Sequence, residues 1–160
     1  MQRSQANSIV KTTGAYMEIS TDENEQLVSK VYEGAMRALH AGKEITEQEK
    51  FVYQVELLSQ EVNSGASFEQ YFGWVGKSEV DEILTYIERL DMPQIYPIVE
   101  EAIHSAFPNG VPGDEDEYEQ CTDWSEEQET RLEELFEKFE AFNGAITHKL
   151  GQFIKANKLV

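Results

Sequence analysis

The feature that most narrows the fold of this 160-residue chain is a helix-start signature that recurs along it. Ser20-Thr21-Asp22-Glu23, Thr46-Glu47-Gln48-Glu49, Ser67-Phe68-Glu69-Gln70, Ser78-Glu79-Val80-Asp81 and Ser125-Glu126-Glu127-Gln128 each set a hydroxyl three residues before an acid or amide. At that spacing the hydroxyl accepts from the third helical amide while the later side chain reaches back to the capping residue's own amide. One match is cheap. Five, each opening a segment of helical period, specify an all-α chain.

The apolar stripes agree. A first helix is expected from about Asp22 to His40, with Leu27, Val28, Val31, Tyr32, Ala35, Met36 and Leu39 on one face and Gly42 ending it. A second runs from about Glu47 to Val62 on Phe51, Val55, Leu58 and Val62, with Gly65 behind it. A short aromatic segment, Phe68 to Trp74, is closed by Gly76, and Val80, Ile83, Leu84, Ile87 and Leu90 form the next stripe. Pro93 suits the first turn of the following helix, whereas Pro97 delays it; the apolar face there is Ile95, Ile98, Val99, Ala102, Ile103 and Phe107. Two prolines and two glycines between Phe107 and Gly113 demand a loop. From Ser125 a long C-terminal helix is expected, broken near Asn143-Gly144. No run alternates with period two for long enough to make a strand. Residues 1–20 read as a weakly ordered segment or a short helical face on Ile9, Val10, Thr13, Tyr16 and Met17, and 21–160 as a single acidic domain, a compact multi-helix bundle.

Composition decides what such a bundle can bind. The net charge is −18, which excludes nucleic acid and anionic membrane as direct partners, because both repel it. A hydrophobic fraction of 40% nevertheless supplies a core and excludes disorder. The charge is concentrated: from Gly113 to Glu140 thirteen carboxylates face only Arg131 and Lys138. That density repels itself and works against compact folding, so a basic partner is the natural compensation. Cys121 is the sole cysteine, no run approaches the ~18 apolar residues of a membrane span, and the first residues lack the apolar stretch of a secretion signal. The expected location is cytoplasmic.

Catalysis finds no support in the residues. His40, His104 and His148 lie far apart, and Glu101-x-x-His104 is half of a di-metal carboxylate pattern whose second half is missing. Asp114-Glu115-Asp116-Glu117-Tyr118-Glu119 begins like a calcium loop but fails at Tyr118 and at the position that requires glycine. Carboxylates around Cys121 disfavour its thiolate. The expectation is a protein that is not an enzyme and carries no metal and no cofactor.

The middle of the chain resembles a bacterial DNA-mimic protein family, an acidic all-helical domain of otherwise unknown function. The residues that carry the resemblance are Glu61-Val62-Asn63-Ser64-Gly65 with Phe68-Glu69-Gln70-Tyr71-Phe72, then Ala102 to Pro108 and Val111-Pro112-Gly113-Asp114. Asn63, Gly65, Phe68, Gln70, Tyr71, Phe72, Phe107 and Pro108 are its signature positions, and they read as structural: Asn63 and Gln70 bridging helix ends, the aromatics filling core. The family usually has two glycines directly before the phenylalanine, where Ala66-Ser67 stand here. The resemblance implies a homodimer whose acidic surface occupies the DNA-binding face of a regulator.

Residues four apart on a helix advance about 6 Å, so rows of carboxylates on a rigid scaffold can stand where phosphates would. Glu126, Glu129, Glu133, Glu137 and Glu140 fit one side of a helix, opposite Leu132, Leu135, Phe136 and Phe139; Asp114, Glu115, Asp116, Glu117, Glu119 and Asp123 form a preceding loop run. These eleven are the candidate partner-binding acids. An ordinary solvated helix face is the bland alternative. Trp124 and Tyr118, inside the acidic stretch, are candidates to pack on an arginine-rich partner, with core or dimer packing the alternative and the preferred reading for Trp74. The expected partner is a basic DNA-binding protein, a transcription regulator or nucleoid protein. The alternatives are a basic nuclease inhibited in the manner of an immunity protein or antitoxin, and an acidic dimeric scaffold without such a partner.

Overall fold

A computed structural model describes the backbone from Thr13 to Val160 and the side chains from Glu23 onward. Within these residues the chain forms eight α-helices and no strand: α1 (Thr13–His40), α2 (Glu47–Gly65), α3 (Phe68–Trp74), α4 (Lys77–Arg89), α5 (Tyr96–Ala106), α6 (Glu115–Gln120), α7 (Glu126–Glu140) and α8 (Asn143–Asn157). The all-α reading is correct. The face proposed on Ile9, Val10, Thr13, Tyr16 and Met17 lies outside the described side chains.

Two of the five start signatures act as read, and a third acts in part. Thr46 and Glu49 exchange backbone and side-chain hydrogen bonds at 2.8 and 3.1 Å, and Ser125 and Gln128 do so at 2.9 and 3.2 Å. Ser67 caps α3 by accepting from Glu69 N–H at 3.1 Å, but Gln70 turns instead to Glu61, 2.9 Å away. The other two are not helix starts. Ser20 lies inside α1, which begins earlier than expected, and Ser78 lies inside α4, because Glu79 reaches back to the amide of Gly76 at 2.8 Å and sets the cap there. The prolines exchange the roles assigned to them: Pro97 occupies the first turn of α5, where its missing amide costs nothing, and Pro93 sits in the turn before it.

Helix ends follow local chemistry. Gly42 takes φ +76°, and the amides of Gly42 and Lys43 close back on Leu39 and Ala38 at 3.0 and 2.8 Å. The same closure ends α2, with Ala66 and Ser67 donating to Asn63 and Val62 at 3.4 and 3.2 Å. Here the left-handed position is held by Ala66 at φ +53°, a conformation that glycine adopts more easily. The C-terminal helix breaks as expected, with Ala141 and Phe142 turning between α7 and α8.

The fold gathers into two compact units, Met1–Tyr53 with Gly144–Val160, and Gln54–Asn143. In the first, Val28, Val31, Tyr32 and Ala35 of α1 are buried, as are Phe51 and Val52 of α2 and Ile146, Leu150 and Ile154 of α8. Tyr32 stacks on Tyr53 and Phe51 meets Phe153 edge-on. Gly151 lets α8 approach α1 closely: a Cβ there would stand 2.1 Å from Asn24 Oδ1.

The second unit is built around α3. Phe68, Tyr71 and Phe72 are wholly buried and lead into a continuous aromatic cluster with Phe107, Tyr118, Trp124 and Phe139. The signature residues therefore do structural work. Asn63 and Asn143 exchange amide hydrogen bonds at 2.7 and 3.1 Å, and Asn63 also donates to Ser59 O. Gly65 is required by the close approach of Gln70, whose Cβ would lie 2.6 Å from any Cβ there. Phe107 is buried and ends α5, and the exposed Pro108 begins the loop.

Candidate acidic interface

α7 carries seven of the chain's carboxylates and two cations in fifteen residues. Its helical state survives this self-repulsion for local reasons. Ser125 caps it, Gln128 also ties its first turn to Ser105 O at 2.9 Å, and Glu126, Glu127 and Glu129 stand at the end where the helix dipole favours anions. Leu132, Leu135 and Phe139 then bury its inner side.

At about 100° per residue, Glu126, Glu129, Glu133, Glu137 and Glu140 fall within one strip of the helix. Glu129 is half-buried and the other four are exposed. The strip flanks the buried face, roughly 130° from it, and does not oppose it as the sequence reading had it. Arg131 and Lys138 lie about 150° around the axis from the strip. Arg131 pairs there with Glu101 and, at 3.1 Å, with Glu134. Its guanidinium holds the Glu101 carboxyl below the ordinary carboxylate range, and Lys138 adds to the effect. Both cations of α7 thus serve the side facing α5. None of the five acids of the strip is ion-paired among the described residues.

The run from Asp114 is a short helix, α6, where a loop was expected. Asp114 caps it, accepting from Glu117 N–H at 2.9 Å, and Glu115 accepts from Lys77 N–H at 3.2 Å at the start of α4. These two acids have structural partners, whereas Asp116, Glu117, Glu119 and Asp123 are simply exposed. Tyr118 anchors the helix: its hydroxyl donates to Phe72 O at 2.7 Å in the core, and burial pushes the phenol well up. Trp124 is also a core residue, its indole N–H bound to Ala106 O at 3.0 Å. The aromatics proposed to meet a partner are therefore inside, while Trp74, read as core or dimer packing, is 72% exposed on the single chain.

Trp74 stands at an open groove of about 870 Å³ that sequence reasoning missed. Glu61, Glu69, Gln70, Trp124 and Glu133 line it, together with small residues of α3 and its cap, and no cation does. Glu69 is crowded by its surroundings. Partial burial, then the neighbouring Glu129 and Glu133 carboxylates, raise it above its ordinary 4.5. Glu133 belongs both to the groove and to the strip on α7. The contributing residues come from α2, α3, α7 and the turn before α7, so no local spacing announced them.

A family model described as DMP19-like protein matches residues 43–157. The chain belongs to the DMP19-like protein family. The match takes in α2 to α8, hence the groove, the strip on α7 and all the signature residues of this DMP19-like protein. Comparison with curated proteins and with solved structures gives no match. Among the described residues no helix is long and apolar enough to cross a membrane, and no three histidine, cysteine or acidic side chains are placed to hold a metal ion.

Proposed function

We propose that this DMP19-like protein is a DNA mimic: it binds a basic DNA-binding protein, a transcription regulator or nucleoid protein, and blocks that protein's access to DNA. The observation that carries the reading is the strip on α7, with five carboxylates on one side and both helix cations turned to another. The strip spans about 21 Å of helix axis, or one carboxylate per ~5 Å. A single DNA strand offers one phosphate per ~3.4 Å of axis. Lysines and arginines spaced for that backbone would meet comparable charge on a stiff support, with Asp116, Glu117, Glu119 and Asp123 of the α6 region adding to it. The protein acts by occupancy, without chemistry on a substrate and without a cofactor. The homodimer implied by the family resemblance would present the strip twice, and sedimentation at working concentration tests that state.

The test reverses charge on the strip. With Glu126, Glu133, Glu137 and Glu140 changed together to lysine, helicity by circular dichroism is expected to stay unchanged. The DNA-binding protein captured by the wild type from native cytoplasm should no longer be retained. The wild-type complex should weaken steeply between low and moderate salt, and duplex DNA should compete for the captured protein. A complex indifferent to salt, or a captured protein that duplex DNA does not displace, refutes the reading.

A further inference from the structure

We infer that the groove beside α3 receives an arginine side chain of the basic partner, the guanidinium lying on the exposed face of Trp74 and held by Glu69 and Glu133. This rests on the mimic reading and adds to it the contact that turns general attraction into a fixed docking position. Three observations converge. Trp74 leaves 72% of its surface in water, while every other aromatic of the unit's central cluster is buried. An indole exposed in this way is the best of the aromatic platforms for a cation. The groove beside it is lined by Glu61, Glu69 and Glu133 and by no cation, so its charge complements a basic group. Its walls are built: Gln70 binds Glu61, Ser67 caps α3, and the Trp124 indole is pinned to Ala106 O. The crowding of Glu69 by Glu129 and Glu133 is relieved when a cation enters.

Charge also selects the occupant. A second copy docked symmetrically through this groove would bring the same acids to it and be repelled, so a symmetric contact between copies does not explain the exposed indole. Arginine is favoured over lysine because its planar guanidinium stacks on an indole and binds carboxylates through paired N–H groups.

The experiment titrates the full-length protein with two acetylated and amidated pentapeptides, Gly-Arg-Gly-Arg-Gly and Gly-Lys-Gly-Lys-Gly, at low salt, following the two indole N–H resonances. The Trp74 resonance should move with the arginine peptide while that of the pinned Trp124 moves less. Trp74→Ala should weaken the arginine peptide about fivefold, Trp74→Phe less, and Glu69→Gln with Glu133→Gln at least as much. Equal affinity of the two peptides, an unmoved Trp74 resonance, or unchanged affinity in Trp74→Ala overturns the inference. So does a fall in the sedimenting mass of Trp74→Ala, which would assign the indole to a contact between copies. Binding of the cellular partner separates the two levels of argument. If Trp74→Ala leaves it intact while lysine at Glu126, Glu137 and Glu140 abolishes it, this inference falls and the mimic reading stands. If both leave it intact, the mimic reading falls as well.

Discussion

Replacing Ala66 by glycine should stabilise the protein, and the size of the gain follows from one dihedral angle. Ala66 closes α2 at φ +53°, where the Cβ of an L-residue crowds the neighbouring carbonyl at roughly 1–2 kcal/mol. Glycine removes that cost but returns flexibility to the unfolded chain, an offset of about 0.4–1 kcal/mol. The net expectation is a gain of about 0.5–1 kcal/mol, or a Tm rise of about 2 °C for a chain of this length. The closure itself is unaffected, since its hydrogen bonds, from Ala66 to Asn63 O and Ser67 to Val62 O, use backbone atoms alone. Urea unfolding followed at 222 nm should show a higher midpoint with an unchanged slope. Ala66→Val is the converse, because a β-branched residue at positive φ should lower the midpoint by about 1 kcal/mol or more. The family's usual glycine pair before the phenylalanine then has a physical reading: one glycine serves this left-handed position, and this chain forgoes it. A midpoint that stays put or falls in Ala66→Gly would show that the turn is not strained.

Two further outcomes test the groove and its support. The folded Glu69 carboxyl sits above its ordinary 4.5, so the folded state holds more protons than the unfolded chain between those two values and stability must fall as pH rises through that window. Glu69→Gln should therefore melt higher than wild type at pH 7, with the difference closing below about pH 4; equal melting at pH 7 would show that neither burial nor the neighbouring carboxylates disfavour the charged form of Glu69. Tyr118→Phe removes the donor to Phe72 O, a carbonyl at the end of α3, and should cost about 1–3 kcal/mol in thermal or urea unfolding. A loss below the error of the measurement would mean that α6 is not held by that bond.

What the sequence made legible was local. The helix starting at Thr46 and the one starting at Ser125 depend on bonds within four residues, and both were read correctly. Ser20 and Ser78 carry the same spelling but sit inside helices; at α4 the backbone of Gly76 outcompeted Ser78 because Glu79 reached it. The core alternative for Trp74 fails for a reason that helical spacing already contained. In a seven-residue helix, Phe68, Tyr71 and Phe72 at offsets of three and four take the buried side, and offset six falls outside it. Glu133 was among the acids read from the sequence, but its meeting with Glu61 and Glu69 is tertiary and no spacing along the chain announces it.

The residues that hold α7 and the residues that charge it are largely different sets, so charge reversal can tell a mimic from a merely soluble surface. Leu132, Leu135, Phe139, Ser125 and Gln128 secure the helix, and Arg131 binds the side facing α5. Nothing in that framework requires Glu137 or Glu140, which lie toward the C-terminal end of the helix and repel their neighbours. Lysine at these two positions should therefore leave melting unchanged or raise it, while weakening capture of the proposed DNA-binding partner. A surface kept for solubility gives the opposite pattern of sensitivity: capture indifferent to where the charge is placed, with solubility alone following the net value. If melting fell sharply on reversal, the strip would be part of the scaffold, and its alignment would lose its bearing on function.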